Sequence, residues 1–104
     1  MTMKVSEILF KAAELIEERG LAKGEWQDDE TGCLCAEGAI TFAAGLRIFA
    51  DACCSPAGRF LEAYLRETVG YGDIPAWNDA EERTPNEIVS GLRSAATKAQ
   101  EQGL

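Results

Sequence analysis

The chain has 104 residues, with 18 acidic against 10 basic side chains, a formal net charge of -8 and an isoelectric point near 4.5. This length favours one domain, and an acidic surface repels both nucleic-acid phosphates and anionic lipid headgroups. We therefore expect no nucleic-acid partner and no membrane partner. No apolar run approaches the roughly 20 residues that span a bilayer, and the first residues do not show the apolar stretch of a signal peptide. We expect a cytoplasmic protein whose thiols are reduced.

The first predicted element is an amphipathic helix from about residue 6 to residue 19. Apolar residues recur there at the three- and four-residue spacing that places them on one helix face, namely Val5, Ile8, Leu9, Ala12, Leu15 and Ile16. We expect Ser6 to cap its N-terminus and Gly20 to end it. Turn residues in the middle of the segment 24–35 then predict a small β-hairpin or an ordered loop.

A central helix is predicted over residues 36–44, which are apolar on nearly every side apart from Glu37 and Thr41. A helix that is apolar all round is typical of a buried position. Gly38 lowers the helix propensity by roughly 1 kcal/mol relative to Ala, which indicates that another group approaches the helix closely there. Gly45 is expected to end this helix. The short apolar stripe over residues 46–54 fits either a helix or a loop.

The next predicted helix begins with a clear capping signal. Ser55 provides an N-cap, and Pro56 occupies the first helical position, where its missing N–H costs nothing. Gly70 is expected to end this helix. The following residues, 71–83, contain too many turn residues for a long element and are predicted as an ordered loop anchored by Trp77.

The final helix opens with Thr84 and Glu87 in capping-box spacing. Phe42 of the central helix and Leu61 of the following one are expected core residues. The sequence therefore predicts a mainly α protein, with residues 1–104 forming a single small helical domain. It would contain about four helices, with a short β-hairpin or ordered loop between the first two.

The four cysteines, Cys33, Cys35, Cys53 and Cys54, resemble metal ligands by number but not by spacing. One residue between the first pair and none between the second disfavour joint chelation of zinc, so we predict small buried thiols, no metal and no cofactor. A redox role is the alternative for Cys35, because the N-terminus of the central helix would lower the pKa of its thiol. The sequence has no His, which excludes Cys–His pairs and Ser–His–Asp triads.

Two places carry residues typical of a binding site. Glu37, on an otherwise apolar helix, is the strongest candidate for a perturbed pKa and for acid–base work. The alternative is a favourable charge at the helix N-terminus or an ion pair. Trp77, Asn78, Asp79 and Arg83 offer a ring for stacking, an amide and an ion pair. In the structural alternative, Trp77 fills the core, Asn78 or Asp79 caps a short turn and Arg83 binds a loop carbonyl.

Three motifs follow one another along the chain, namely Trp26, the run Cys33-Leu34-Cys35-Ala36-Glu37-Gly38-Ala39, and Trp77-Asn78-Asp79-Ala80 with Arg83-Thr84 before the last helix. In this combination the chain resembles an uncharacterised family of small proteins from actinobacteria and their phages. The resemblance covers most of the chain and implies a cytosolic accessory protein of a bacterium or phage, without an established activity. The positions it implies as typical are Cys35, Gly38, Trp77, Asn78, Asp79 and Arg83, and the Cys53-Cys54 pair is not among them.

The favoured hypothesis is a non-enzymatic accessory or binding protein that acts on a host protein through its acidic surface, with no catalytic residue assigned. The alternative is a pocket that binds or sequesters a nucleotide-like small molecule, or a modest enzyme that uses Glu37 or Asp79. A structural homodimer is the third hypothesis. The predicted residues for ligand or partner binding are Trp26, Glu37, Trp77, Asn78, Asp79 and Arg83.

Overall fold

Five α-helices form the framework of the described part of the chain, which in the computed structural model comprises residues 3–28, 30–46, 52 and 54–104. They are α1 (Val5–Arg19), α2 (Ala36–Ala44), α3 (Pro56–Thr68), α4 (Ile74–Asp79) and α5 (Pro85–Glu101). α1 lies against α5 and α2, and α4 contacts both α2 and α3. The Cα radius of gyration is 12.1 Å, close to the roughly 13 Å of a compact 100-residue domain. The protein is therefore a compact, mainly α-helical fold.

The core is built from the apolar faces of these helices. Leu9 and Ile16 of α1, Ile40 of α2 and Leu92 of α5 are each at most 1% exposed. The predicted inward face of the first helix is confirmed, and α2 is buried along most of its length. Burial of an aliphatic side chain contributes roughly 1.5–3 kcal/mol, and this burial holds the helices together.

The helices of the C-terminal half begin with the predicted caps. Ser55 Oγ accepts a hydrogen bond from the Gly58 N–H at 3.1 Å, and Pro56 lies in the first turn of α3. Thr84 Oγ1 accepts from the Glu87 N–H at 3.2 Å, while Glu87 Oε1 accepts from the Thr84 N–H at 3.2 Å. The N-cap of α3 and the capping box of α5 are both confirmed.

The prediction that Ser6 caps α1 is wrong. The helix begins at Val5, and Lys4 holds the N-cap position with its backbone N–H donating to Glu7 Oε1 at 2.8 Å. Ser6 lies inside the helix, where its hydroxyl donates to the Leu104 carbonyl at 2.8 Å. The hydroxyl that a local pattern assigns to a cap is therefore used in a contact between distant parts of the sequence.

The structure places α4 within residues 71–83, where the sequence predicts a loop, so the described chain has five helices rather than about four. Asp73 Oδ1 accepts from the Ala76 N–H at 2.8 Å and caps the helix. Pro75 lies in the first turn, where a missing N–H costs nothing. A six-residue helix is too short for apolar periodicity to reveal it.

The segment between α1 and α2 is an ordered loop, and the hairpin alternative is not confirmed: its described residues pair only through isolated bridges. Leu34 pairs in parallel with Leu21 and antiparallel with Gln27. The Leu34 N–H donates to the Gly20 carbonyl at 3.1 Å, and the Leu34 carbonyl accepts from the Ala22 N–H at 2.9 Å. Leu34 therefore lies between two stretches of the loop, and its side chain is fully buried.

The apolar stripe predicted over residues 46–54 falls mostly outside the described residues, which there include only Leu46, Ala52, and Cys54. Within the described ranges, no helix combines the length and the apolarity needed to cross a membrane.

Phe42 departs from the burial expected for α2. Its side chain is 43% exposed, and the Arg19 guanidinium carbon lies 5.1 Å from the centre of its ring. The prediction of Phe42 as a core residue is wrong: most of α2 is buried, but Phe42 lies on the part of the helix that reaches solvent. Leu61 of α3, in contrast, is fully buried as expected.

Substituting these two residues separates core from surface. Leu61→Ala should lower the free energy of unfolding by about 2–5 kcal/mol, because it leaves a cavity in a packed interior. Phe42→Ala should cost clearly less, since its ring already contacts solvent. Urea denaturation of both variants measures the two losses, and equal losses would contradict the positions described here.

Candidate functional site

A pocket of about 250 Å³ lies between the loop after α1, the N-terminus of α2 and α4. Its lining residues within the described part of the chain are Gly24, Glu25, Trp26, Cys35, Glu37, Ile74, Pro75, Asn78 and Asp79. Three of these residues are carboxylic acids and none is basic. The pocket is therefore an acidic recess beside an aromatic ring.

The Asn78 side chain joins the three parts of the chain that form the pocket. Asn78 Oδ1 accepts from the Ala36 N–H at 2.8 Å, which satisfies a backbone donor in the first turn of α2. Asn78 Nδ2 donates to the Ala22 carbonyl at 2.9 Å and to Asp79 Oδ1 at 2.9 Å. The residue is 1% exposed, and its bonds to the backbone of Ala36 and Ala22 are buried. The sequence suggested that Asn78 caps a turn of its own segment. In the structure it caps α2, a helix that is distant in the sequence.

The end of α4 is tied to the loop by further hydrogen bonds. Asp79 Oδ1 also accepts from the Gly24 N–H at 3.0 Å. Lys23 Nζ donates to the carbonyls of Ala80 at 2.7 Å and of Glu81 at 3.4 Å. These contacts fix the loop residues before Trp26 against α4 and so define one wall of the pocket.

The opposite wall is formed where α2 approaches the loop. A Cβ atom at Gly38 would overlap the Trp26 carbonyl oxygen, and the same oxygen accepts from the Cys35 N–H at 3.1 Å. The close approach predicted from Gly38 is confirmed. The Trp26 side chain itself is 45% exposed and supplies the aromatic surface of the pocket.

Glu37 is the buried acid of the pocket. Glu37 is only 7% exposed, and the Trp26 side chain donates a hydrogen bond to its carboxyl. Burial raises the pKa of Glu37 above its ordinary value; the hydrogen bond from Trp26 opposes this rise, and the negative charges of Asp73, Glu62 and Asp79 add to it. The prediction of a perturbed pKa for Glu37 is confirmed, and its direction is upward.

Cys35 caps α2 and keeps its proton, contrary to the expected lowering of its pKa. Its Sγ accepts from the Gly38 N–H at 3.3 Å, and burial raises the pKa of the thiol to about 11. Loss of hydration disfavours the thiolate more than the helix N-terminus favours it. The redox alternative for Cys35 therefore loses its physical basis, because a protonated thiol is a poor nucleophile.

The other described thiols differ from the predicted burial. Cys33 is partly buried, and its Sγ donates to the Arg19 carbonyl at 3.0 Å, whereas Cys54 is exposed. Cys53 lies outside the described residues. In the ranges that the structure describes, no group of three or more His, Cys, Asp or Glu side chains is arranged to hold a metal ion.

Trp77 and Arg83 do not line the pocket. Trp77 is 2% exposed, and a Cβ atom at Gly91 would lie 2.5 Å from its Cζ2 atom. Arg83 Nε donates to the Trp77 carbonyl at 3.0 Å, and its Nη1 donates to Glu87 Oε2 at 2.9 Å. The guanidinium also lies 5.1 Å from the centre of the Tyr71 ring. For these two residues the structure agrees with the alternative in which they have structural roles. Trp77 fills the core, and Arg83 binds a backbone carbonyl.

The pocket thus brings together four of the residues predicted from the sequence, which are Trp26, Glu37, Asn78 and Asp79. Sequence reasoning missed Ile74 and Pro75, although Asp73 followed by a proline two residues later is the pattern of a capped helix start. It also missed Gly24 and Glu25, which no local pattern distinguishes from other loop residues.

The fold and the pocket define a small, mainly α-helical protein with an acidic recess. Residues 1–98 match the family model of DUF6197, a family of unknown function, and the chain belongs to this family. This agrees with the resemblance of the sequence to an uncharacterised family. No curated protein and no solved structure matches the chain.

Gly38→Ala tests the close contact between α2 and Trp26. Helix propensity alone favours Ala by about 1 kcal/mol, but the new methyl group meets a backbone oxygen, so we expect a net loss of roughly 1–3 kcal/mol. Thermal or urea unfolding measures the change. Gly72→Ala is the matched control, since a Cβ there has nothing within 4 Å, and a stabilised Gly38→Ala variant would contradict the contact.

Proposed function

We propose that this protein is a non-enzymatic binding module that holds a partner protein at the acidic pocket between α2 and α4. The observation that carries the proposal is the pocket itself, in which a partly exposed tryptophan ring stands beside the carboxyls of Glu37 and Asp79. Helices and buried hydrogen bonds hold these groups in place. Preorganised groups of this kind lower the entropic cost of binding.

The state of Asn78 and Cys35 supports binding over covalent catalysis. The Asn78 amide bonds to two backbone groups and to Asp79, so its role is structural. The Cys35 thiol has a pKa of about 11 and is protonated at neutral pH. Neither group supplies a nucleophile of the kind that covalent catalysis needs.

The size and charge of the pocket argue against the nucleotide-like alternative. A volume of about 250 Å³ lies below the roughly 300–1,000 Å³ of typical small-molecule sites. Among the residues that the structure describes, the lining contains no basic side chain to pair with a phosphate, and phosphate sites in proteins usually recruit Arg, Lys or free backbone N–H groups. A protruding side chain of a protein suits this recess better.

In this proposal the protein works in the cytoplasm as an accessory factor, and its partner is a host protein. The net charge of -8 supports the choice of a partner with a basic surface, because opposite charges accelerate association and select against other acidic proteins. The same charge disfavours association between copies of this chain, which argues against the homodimer alternative.

Cross-linking in cells of the native host, followed by mass spectrometry, tests the proposal. The wild-type protein should cross-link specifically to a host protein, with adducts close to the pocket, and Trp26→Ala should reduce this yield at least about fivefold, as expected when an aromatic contact is removed from an interface. Glu14→Gln, an exposed change on α1 outside the pocket lining, is the control and should retain the wild-type yield.

Two results would contradict the proposal. One is a wild-type protein that cross-links to nothing above the level of an unrelated acidic protein. The other is a partner that Trp26→Ala captures as well as the wild type does, which would place the interface elsewhere.

A further inference from the structure

The acidic residues around the pocket favour a positively charged ligand. Glu25, Glu37 and Asp79 line it, and Glu62 and Asp73 are close enough to act electrostatically on Glu37. Because like charges held together raise the electrostatic free energy, a cation entering this space lowers it and an anion raises it.

Two basic side chains close to the lining residues in the sequence, Lys23 and Arg83, bind groups outside the pocket lining. Lys23 Nζ binds the carbonyls of Ala80 and Glu81. Arg83 binds the Trp77 carbonyl and forms an ion pair with Glu87 at 2.9 Å. Among the described contacts, neither cation forms an ion pair with a lining carboxyl, so Lys23 and Arg83 do not neutralise these acids directly.

A second observation, independent of charge, comes from the aromatic wall. Trp26 is 45% exposed and lies in the pocket lining beside the 7%-exposed Glu37. The face of an indole ring attracts cations more strongly than any other side-chain ring. A planar cation can stack on such a face while its edge donates hydrogen bonds to a carboxylate.

The volume of the pocket limits how large the cation can be. About 250 Å³ accommodates one long side chain rather than a cofactor or a nucleotide. The ligand is therefore a single cationic group on a narrow stem.

We propose that the pocket between α2 and α4 binds a basic side chain of the partner protein, with arginine preferred over lysine, by stacking on Trp26 and pairing with Glu37 and Asp79. This inference rests on the proposed function and names the chemistry of the group that the partner inserts. Arginine is preferred because its planar guanidinium stacks on a ring and donates from a fixed fork, whereas a lysine ammonium acts as a point charge.

A titration with blocked amino acids tests the inference on the full chain. The two Trp indole N–H signals of the ¹⁵N-labelled protein are followed by NMR while N-acetylarginine amide is added. The signal of Trp26 should shift and saturate, while that of Trp77, which is 2% exposed, should stay in place. N-acetylcitrulline amide, which has the same shape without the charge, and N-acetylglutamate amide should produce no saturable shift.

Substitutions then show which carboxylate binds the arginine. Glu37→Gln should weaken arginine binding about tenfold, the difference expected for one charged hydrogen bond. Glu25→Gln, at an exposed position of the lining, should weaken it less. Glu14→Gln removes the same charge at an exposed residue outside the pocket lining and should leave the affinity unchanged.

The possible outcomes separate this inference from the proposed function. Citrulline binding as tightly as arginine, or a saturable shift with the glutamate compound, overturns the cation site while the pocket remains a binding site. In another outcome, the Trp26 indole N–H signal shifts with none of the compounds while partner capture still depends on Trp26. That result also overturns the cation site alone. A silent signal together with capture that is independent of Trp26 overturns both.

Discussion

The buried amide of Asn78 is the interaction on which the rest of the site depends. It accepts from the Ala36 N–H of α2 and donates to the Ala22 carbonyl of the loop, so a residue of α4 satisfies backbone groups of two other segments. A buried polar group left without a partner costs about 1–3 kcal/mol, which makes this arrangement strongly preferred over any in which α4 shifts. Asn78 is therefore the residue that gives the pocket its shape.

The pocket contains one buried carboxyl, that of Glu37, beside the exposed acids Glu25 and Asp79. Burial of Glu37 raises its pKa, so the stability of the fold falls as the pH rises from the ordinary pKa of this carboxyl to its raised one, and the full cost of ionisation remains above that pH. A cationic ligand would offset that cost, because it favours the charged form. Under the proposed function, this cost in stability is retained because the buried acid and the partly exposed ring serve a ligand.

Local signals in the sequence predicted much of the fold, because caps and apolar periodicity act over a few residues. Ser55 and Thr84 mark helix starts correctly, and Gly38 correctly indicates a close approach. Contacts between residues distant in the sequence could not be predicted, because no local pattern reveals that Ser6 bonds to Leu104 or that Asn78 caps another helix. The candidate site was therefore predicted as a set of residue types, while its assembly, and the exclusion of Trp77 and Arg83 from it, came from tertiary structure.

The most direct test of this account is amide hydrogen exchange at Ala36, measured by NMR in the wild type and in Asn78→Ala. The Ala36 N–H donates to Asn78 Oδ1 at 2.8 Å, so loss of the acceptor should accelerate its exchange more than it accelerates exchange at Leu92, which reports on the core at α5. If exchange at Ala36 and at Leu92 rises by the same factor, or if exchange at Ala36 is unchanged, Asn78 does not hold α2 in place and the pocket has another origin.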